Sequence, residues 1–244
     1  DSEVTVTPGA TEALYCAITA TVTPGDEVIV FDPAYDSYEP AIELSGGRAI
    51  HLPLLPPEFS IDWQRVKDAI NPRTRMIILN SPHNPTGATL SADDLNALAE
   101  LVRDTDILLL SDEVYEHLVF DGEIHQSLLL HDELAARAFV VFSFGKTYHV
   151  TGWKTGYCIA PAALTAELRK VHQYVTFVAV TPIQLALADF MRDCPEHYQQ
   201  LPGFYQYKRD LFCDQMSGSR FKFQPTAGTF FQLVDYSVIS DLDA

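Results

Sequence analysis

Short apolar runs alternate with segments of helical periodicity along most of the chain. The clearest runs are residues 28–31, 76–79, 107–110 and 139–142. Each is too short for an ordinary helix and apolar throughout, which predicts strands buried on both faces. Apolar residues recur at helical spacing over residues 11–22, 61–70 and 91–103. The first of these stops before Pro24-Gly25, and the third opens on Ser91 with Asp94 three residues on, the pattern of a capped N-terminus. Further helices are predicted over residues 164–174, 183–192 and 204–216. This order predicts an α/β fold in three layers, α/β/α, with a mainly parallel sheet covered by helices on both faces. Pro53, Pro56 and Pro57 make residues 52–57 a loop. Residues 221–234 read as strand, turn and strand, so a second domain is expected to begin there.

Composition narrows the class of partner. With 244 residues, 47% hydrophobic and 20% charged, the chain can bury a sizeable core, as a globular rather than a disordered protein does. Its formal net charge of −17 argues against nucleic acid or an anionic membrane as partner, since both demand a basic face. Any anion must therefore be held by local groups. Cys16, Cys158, Cys194 and Cys213 are too scattered for a disulfide framework and are expected to be reduced thiols of a cytoplasmic protein. No apolar stretch is long enough for a membrane span, and the first residues lack a signal peptide's pattern. None of the eight histidines forms a ligand-spaced motif, so no metal is assigned, and His83, His149 and His172 are expected to be polar packing.

Lys146 carries the most chemical information. It ends an apolar run, with Ser143 three residues before it and Lys154 eight after it, which suits a Schiff-base lysine beside a phosphate. Asn84, Asp112 and Lys146 each follow an apolar run by a few residues, separated by one strand–helix unit apiece, so all three can reach the carboxyl edge of one parallel sheet. Four motifs in this order carry a family resemblance: Thr7-Pro8-Gly9-Ala10-Thr11-Glu12-Ala13-Leu14, His83-Asn84-Pro85-Thr86-Gly87, Ser111-Asp112-Glu113-Val114-Tyr115, and Ser143-Phe144-Gly145-Lys146 running on to Thr151-Gly152-Trp153-Lys154.

The chain resembles the class I/II pyridoxal-phosphate (PLP) aminotransferases of fold type I, and among them most closely the methionine and kynurenine aminotransferases, on the stretches Phe31-Asp32-Pro33-Ala34-Tyr35-Asp36-Ser37-Tyr38, Ser111-Asp112-Glu113-Val114-Tyr115-Glu116 and Ser143-Phe144-Gly145-Lys146-Thr147-Tyr148. The resemblance implies that Lys146 bonds the cofactor and then carries a proton to and from the substrate. It implies that Asp112 pairs with the pyridine nitrogen, and that Asn84 and Tyr115 donate to the phenolic oxygen. Gly9, Ala10 and Thr11 correspond to the phosphate loop at a helix start. Ser143 and Lys154 complete the phosphate contacts, Lys154 standing where many members carry arginine. Tyr35 corresponds to the residue stacked on the ring, and the Asn84–Pro85 bond is expected to be cis.

The implied organisation is a PLP-binding large domain over residues 1–220 and the start of a small domain over residues 221–244. A preceding arm and the carboxylate-binding arginine are expected outside this chain. The implied reaction is ping-pong transfer of an amino group from methionine or an aromatic amino acid to a 2-oxo acid, in a homodimer. A PLP-dependent β-lyase acting on cysteine S-conjugates would use the same Lys146, Asp112 and Tyr115. A PLP-binding effector domain of a transcription regulator is the non-enzymatic alternative.

Overall fold

The computed structural model describes residues 2–242; Asp1, Asp243 and Ala244, at the ends of the two expected domains, lie outside them. In chain order the elements begin with β1 (Val4–Thr7), α1 (Ala10–Thr21), β2 (Glu27–Asp32), α2 (Tyr38–Leu44) and β3 (Arg48–Pro53). The middle of the chain forms α3 (Trp63–Ala69), β4 (Thr74–Asn80), α4 (Ala92–Val102), β5 (Leu108–Asp112), α5 (Asp132–Ala135) and β6 (Ala138–Ser143). It ends with α6 (Phe144–Thr147), β7 (Gly156–Ile159), α7 (Ala162–Val175), α8 (Thr181–Asp193) and α9 (His197–Met216).

The strands form one seven-stranded sheet in the order β1-β7-β6-β5-β4-β2-β3. β2 through β6 run parallel, and β7 lies antiparallel to both of its neighbours, β1 and β6. The mainly parallel α/β architecture expected from the alternation is therefore present. Alternate residues of one strand supply two different cores. Val28, Val30, Met76 and Ile78 pack beneath α1, α2 and α7, whereas Ile29, Phe31, Ile77 and Leu79 pack beneath α3 and α4. That double burial is why these strands are uninterrupted apolar runs, and each such side chain contributes about 1.5–3 kcal/mol on leaving water.

Ser91 caps α4 as anticipated: its hydroxyl accepts the Asp94 N–H while the Asp94 carboxylate accepts the Ser91 N–H. Other expectations need correction. Residues 52–57 are not wholly loop, because Leu52 and Pro53 finish β3. β3 is one of the sheet's two edge strands, where proline's missing N–H leaves no ladder partner unsatisfied. β1, β3, β7 and α2 carry no long apolar run, since the strands lie at or next to an edge and α2 is only seven residues long. α9 starts at His197 rather than 204 and passes through Pro202, held by burial of Leu201 against Val114, Tyr115 and Leu118.

Residues 221–234 do not form the expected pair of strands. A single antiparallel bridge joins Lys222 to Asp235, and the intervening backbone is tied instead to side chains and to the large sheet's loops. The Thr226 N–H donates to Gln232 Oε1, the Phe120 N–H to the Ala227 carbonyl, and the Thr229 N–H to the Leu118 carbonyl. The turn at 225–231 is thereby strapped against residues 118–120.

Candidate active site

Parallel register brings the chemistry to one edge. Asn80 at the end of β4 pairs with Asp112 at the end of β5, and β6 ends at Ser143 beside Gly156 of β7. β1 ends at Thr7, also beside Gly156, so α1 starts at that same edge. Gly9 takes φ 82°, a conformation glycine adopts without penalty, and turns the chain into α1. Gly156 has no room for a side chain: a Cβ there would lie 2.8 Å from the Ala10 nitrogen and 2.6 Å from the Phe142 carbonyl oxygen. The missing methyl lets β7 pass directly beneath the first turn of α1.

These loops enclose a cleft of about 680 Å³ including its open mouth. All ten candidate residues line it: Gly9, Ala10, Thr11, Tyr35, Asn84, Asp112, Tyr115, Ser143, Lys146 and Lys154. The Asn84–Pro85 bond is cis, as anticipated. One end of the cleft is suited to an anion, because the free N–H groups of α1's first turn and its dipole point there, with the Ser143 hydroxyl and the Lys154 ammonium beside them. Lys154 adopts a left-handed conformation, φ 51° and ψ 57°, and a Cβ on Gly9 would come within 3.7 Å of its Nζ.

Asp112 marks the other character of the site, a carboxylate that is only 4% exposed. Burial pushes its pKa up to about 6, against the opposing effects of a hydrogen bond from Tyr38 and of the charge on Lys146. Lys146 is shifted the other way: burial lowers its pKa, Lys154 adds to that, and Asp112 opposes it. Its Nζ lies 5.5 Å from the Tyr115 ring centre and 5.6 Å from that of Phe230. The cleft thus combines a half-desolvated amine, a buried carboxylate and a helix start that receives anions.

Sequence reading omits several groups that build this arrangement. Asn80 lines the cleft, donates from Nδ2 to the Asp112 carbonyl (2.8 Å) and accepts the Asn84 N–H (2.7 Å). It thereby locks the loop carrying Asn84 to the end of β5. Thr151 and Thr155 add hydroxyls to the lining. Tyr38 stands behind the cleft and donates to Asp112 Oδ2 at 2.7 Å. Asn80 does carry a sequence signal, a polar residue ending an apolar run, whereas Tyr38 closes the family-like stretch that begins at Phe31 without any sign that it meets Asp112.

Away from the cleft, Glu12, Cys16 and His172 place ligand-type atoms within 4.8 Å of one another. Those atoms are engaged mutually: the Cys16 thiol donates to Glu12 Oε1 and His172 Nδ1 lies 2.8 Å from the same oxygen. Burial first, and Glu12 after it, raise the Cys16 thiol well above its ordinary range and keep it protonated. The group ties α1 to α7. His83 is likewise engaged in packing, 2.9 Å from Thr86 Oγ1, with burial lowering it to about 4. All four cysteines are free, and no helix among the described residues is long and apolar enough to cross a membrane.

Comparison with known proteins gives a consistent answer. Residues 1–243 match the family model described as aminotransferase class I and II. The chain is 55% identical over 243 residues to the methionine aminotransferase of Escherichia coli K12, covering all of this chain and 63% of that protein. It is 34% identical over 256 residues to human kynurenine–oxoglutarate transaminase 3, covering 98% of this chain and 56% of the relative. The crystal structure of YbdL from Escherichia coli, reported with a methionine aminotransferase function, superposes with a TM-score of 0.98 at 55% identity over 100% of this chain and 64% of its own. The chain spans less than two thirds of the length of each of these proteins. From the family match and these identities, the chain belongs to the class I and II aminotransferases.

Proposed function

We propose that this chain is the cofactor-binding part of a PLP-dependent aminotransferase, with residues 1–220 as its large domain and residues 221–244 opening a smaller one. The observation that carries this reading is the meeting of Lys146, Asp112 and the start of α1 around one cleft. The donor set fits PLP. An anion-receiving helix start with Ser143 and Lys154 suits the phosphate, Tyr35 offers a flat aromatic wall, Asn84 and Tyr115 offer donors, and buried Asp112 suits a protonated ring nitrogen. PLP, when bound, supplies an electron sink for charge developed at the substrate's α-carbon.

The chain's own groups do the rest. Lys146 would hold the cofactor through Nζ and would move a proton at the substrate α-carbon, a task for which a lowered pKa suits it, since the neutral amine is the base. Asp112 would hold a proton on the ring nitrogen. Tyr115, which burial keeps protonated, remains a hydrogen-bond donor throughout. Asn80 fixes the Asn84 loop from outside the reacting atoms.

The favoured substrates are methionine or an aromatic amino acid as donor and a 2-oxo acid as acceptor, exchanged in ping-pong fashion. Similarity to the methionine and kynurenine enzymes supports that choice. A cytoplasmic homodimer is the accompanying proposal. The test is reduction of the PLP-loaded intact protein with borohydride, followed by peptide mapping. Cofactor fixed to the peptide containing Lys146 supports the reading, and fixation elsewhere or nowhere overturns it. Release of pyruvate and ammonia from a cysteine S-conjugate without any acceptor would instead make the protein a β-lyase.

A further inference from the structure

Asp112 meets the cleft on one side and Tyr38 on the other. Tyr38 is 3% exposed and does not line the cleft; it lines a neighbouring cavity with Phe31, Asn80 and His83. Its hydroxyl donates 2.7 Å to Asp112 Oδ2, while among the described residues Oδ1 accepts only a long 3.4 Å bond from the Val114 N–H. The ring itself is fixed, as the first residue of α2, in the core beneath α1, with Tyr35 at 5.6 Å and 77° to it. A donor from outside the cleft lining therefore holds one carboxylate oxygen by a short bond, while the other has only the long bond from Val114 among the described residues.

We propose that Tyr38 is the positioning residue of this site: its hydroxyl anchors the Asp112 carboxylate and holds the second oxygen toward the ring nitrogen of the cofactor. This rests on the function proposed above and assigns a role to a residue outside the cofactor's own contacts. Physical chemistry favours it. A buried hydrogen bond to an ionised group is stronger than one between neutral groups. Burial also raises the Tyr38 phenol well above its ordinary range, so it stays a donor. The other groups acting on Asp112 do not substitute for it: Glu113, just past the end of β5, disfavours the carboxylate's charge, and Lys146 on α6 favours it without a hydrogen bond to it among the described residues. Burial first, and the charge on Asp112 after it, raise the Tyr115 phenol, which stays neutral and brings no charge to Asp112.

The test compares the intact protein with its Tyr38→Phe variant, which keeps the ring and its packing. Without cofactor, the Asp112 carboxylate followed by carbon-13 resonance titrates about one pH unit higher in the variant. With PLP bound, the ring-nitrogen nitrogen-15 resonance at pH 8 moves toward that of unprotonated pyridine, and kcat falls roughly tenfold with little change in the KM for methionine. A merely structural role would leave the ring-nitrogen resonance in place. In an Asp112→Asn background, Tyr38→Phe causes no further fall in kcat, because the carboxylate it serves is gone. Unchanged Asp112 titration together with an unchanged ring-nitrogen resonance overturns the proposal. A parent protein that binds no PLP overturns the function instead, and the cofactor-free titration still decides whether Tyr38 governs Asp112.

Discussion

A carboxylate as deeply buried as Asp112 destabilises the ligand-free fold. Its folded pKa is raised to about 6 from 3.8, so above pH 6 the folded state carries a charge that the unfolded chain carries more easily. Stability contributed by this group is therefore greatest in acid and is lost as pH rises from about 4 to about 6. Asp112→Asn without cofactor should be more stable than the parent at pH 8 by up to about 3 kcal/mol, with the difference shrinking toward pH 4. Urea unfolding at the two pH values measures this, and an equal difference at both would show that burial of the charged carboxylate is not the cause. In the PLP-loaded protein the same residue should be indispensable: Asp112→Ala is expected to lower kcat by about 100-fold or more while weakening PLP binding far less. Equal turnover by variant and parent would remove its electronic role. Lys146→Ala should keep the fold and lose all borohydride-fixed cofactor, and a reducible adduct in that variant would displace Lys146 from its role.

Elements act here by bringing strand ends and one helix start together, and glycine makes the closest of those approaches possible. Gly156→Ala should cost about 1–3 kcal/mol, because the new methyl meets backbone atoms of both the first turn of α1 and β6. It should weaken PLP as well, since it displaces Ala10. Gly152→Ala, whose Cβ meets nothing within 4 Å, serves as the control, and matching melting curves for the two variants would contradict the packing argument. Elements buried on two faces were legible in the sequence because double burial forces continuous apolar runs, as in β2, β4, β5 and β6. The short or peripheral elements were not, because β3 is partly solvated and Pro53 is harmless only at an edge that sequence does not reveal. Residues 221–234 misled for a related reason: alternating apolar residues predict strands, yet Phe230 and Phe231 face Tyr115 from a turn.

At the scale of the whole molecule, the excess of acidic residues sets a background that a phosphate must overcome locally. The start of α1, Ser143 and Lys154 supply the local counter-field on the face where the sheet's carboxyl ends converge. Of the ten candidate residues, Asn84, Asp112 and Lys146 could be read from the apolar runs they follow, and the others from the family resemblance that the motifs carry. Tyr38 could not, since its partner is 74 positions away and the bond exists only once α2 has packed beneath the sheet's edge. The proposed function requires that Lys146 hold PLP in a form that accepts an amino group. The visible spectrum of the intact protein with PLP, recorded before and after methionine with no acceptor present, tests this most directly. The absorbance of lysine-bound cofactor should appear and then give way to that of its amine form. A folded, intact protein that develops no such absorbance, or one whose absorbance methionine and aromatic amino acids leave unchanged, would contradict the account.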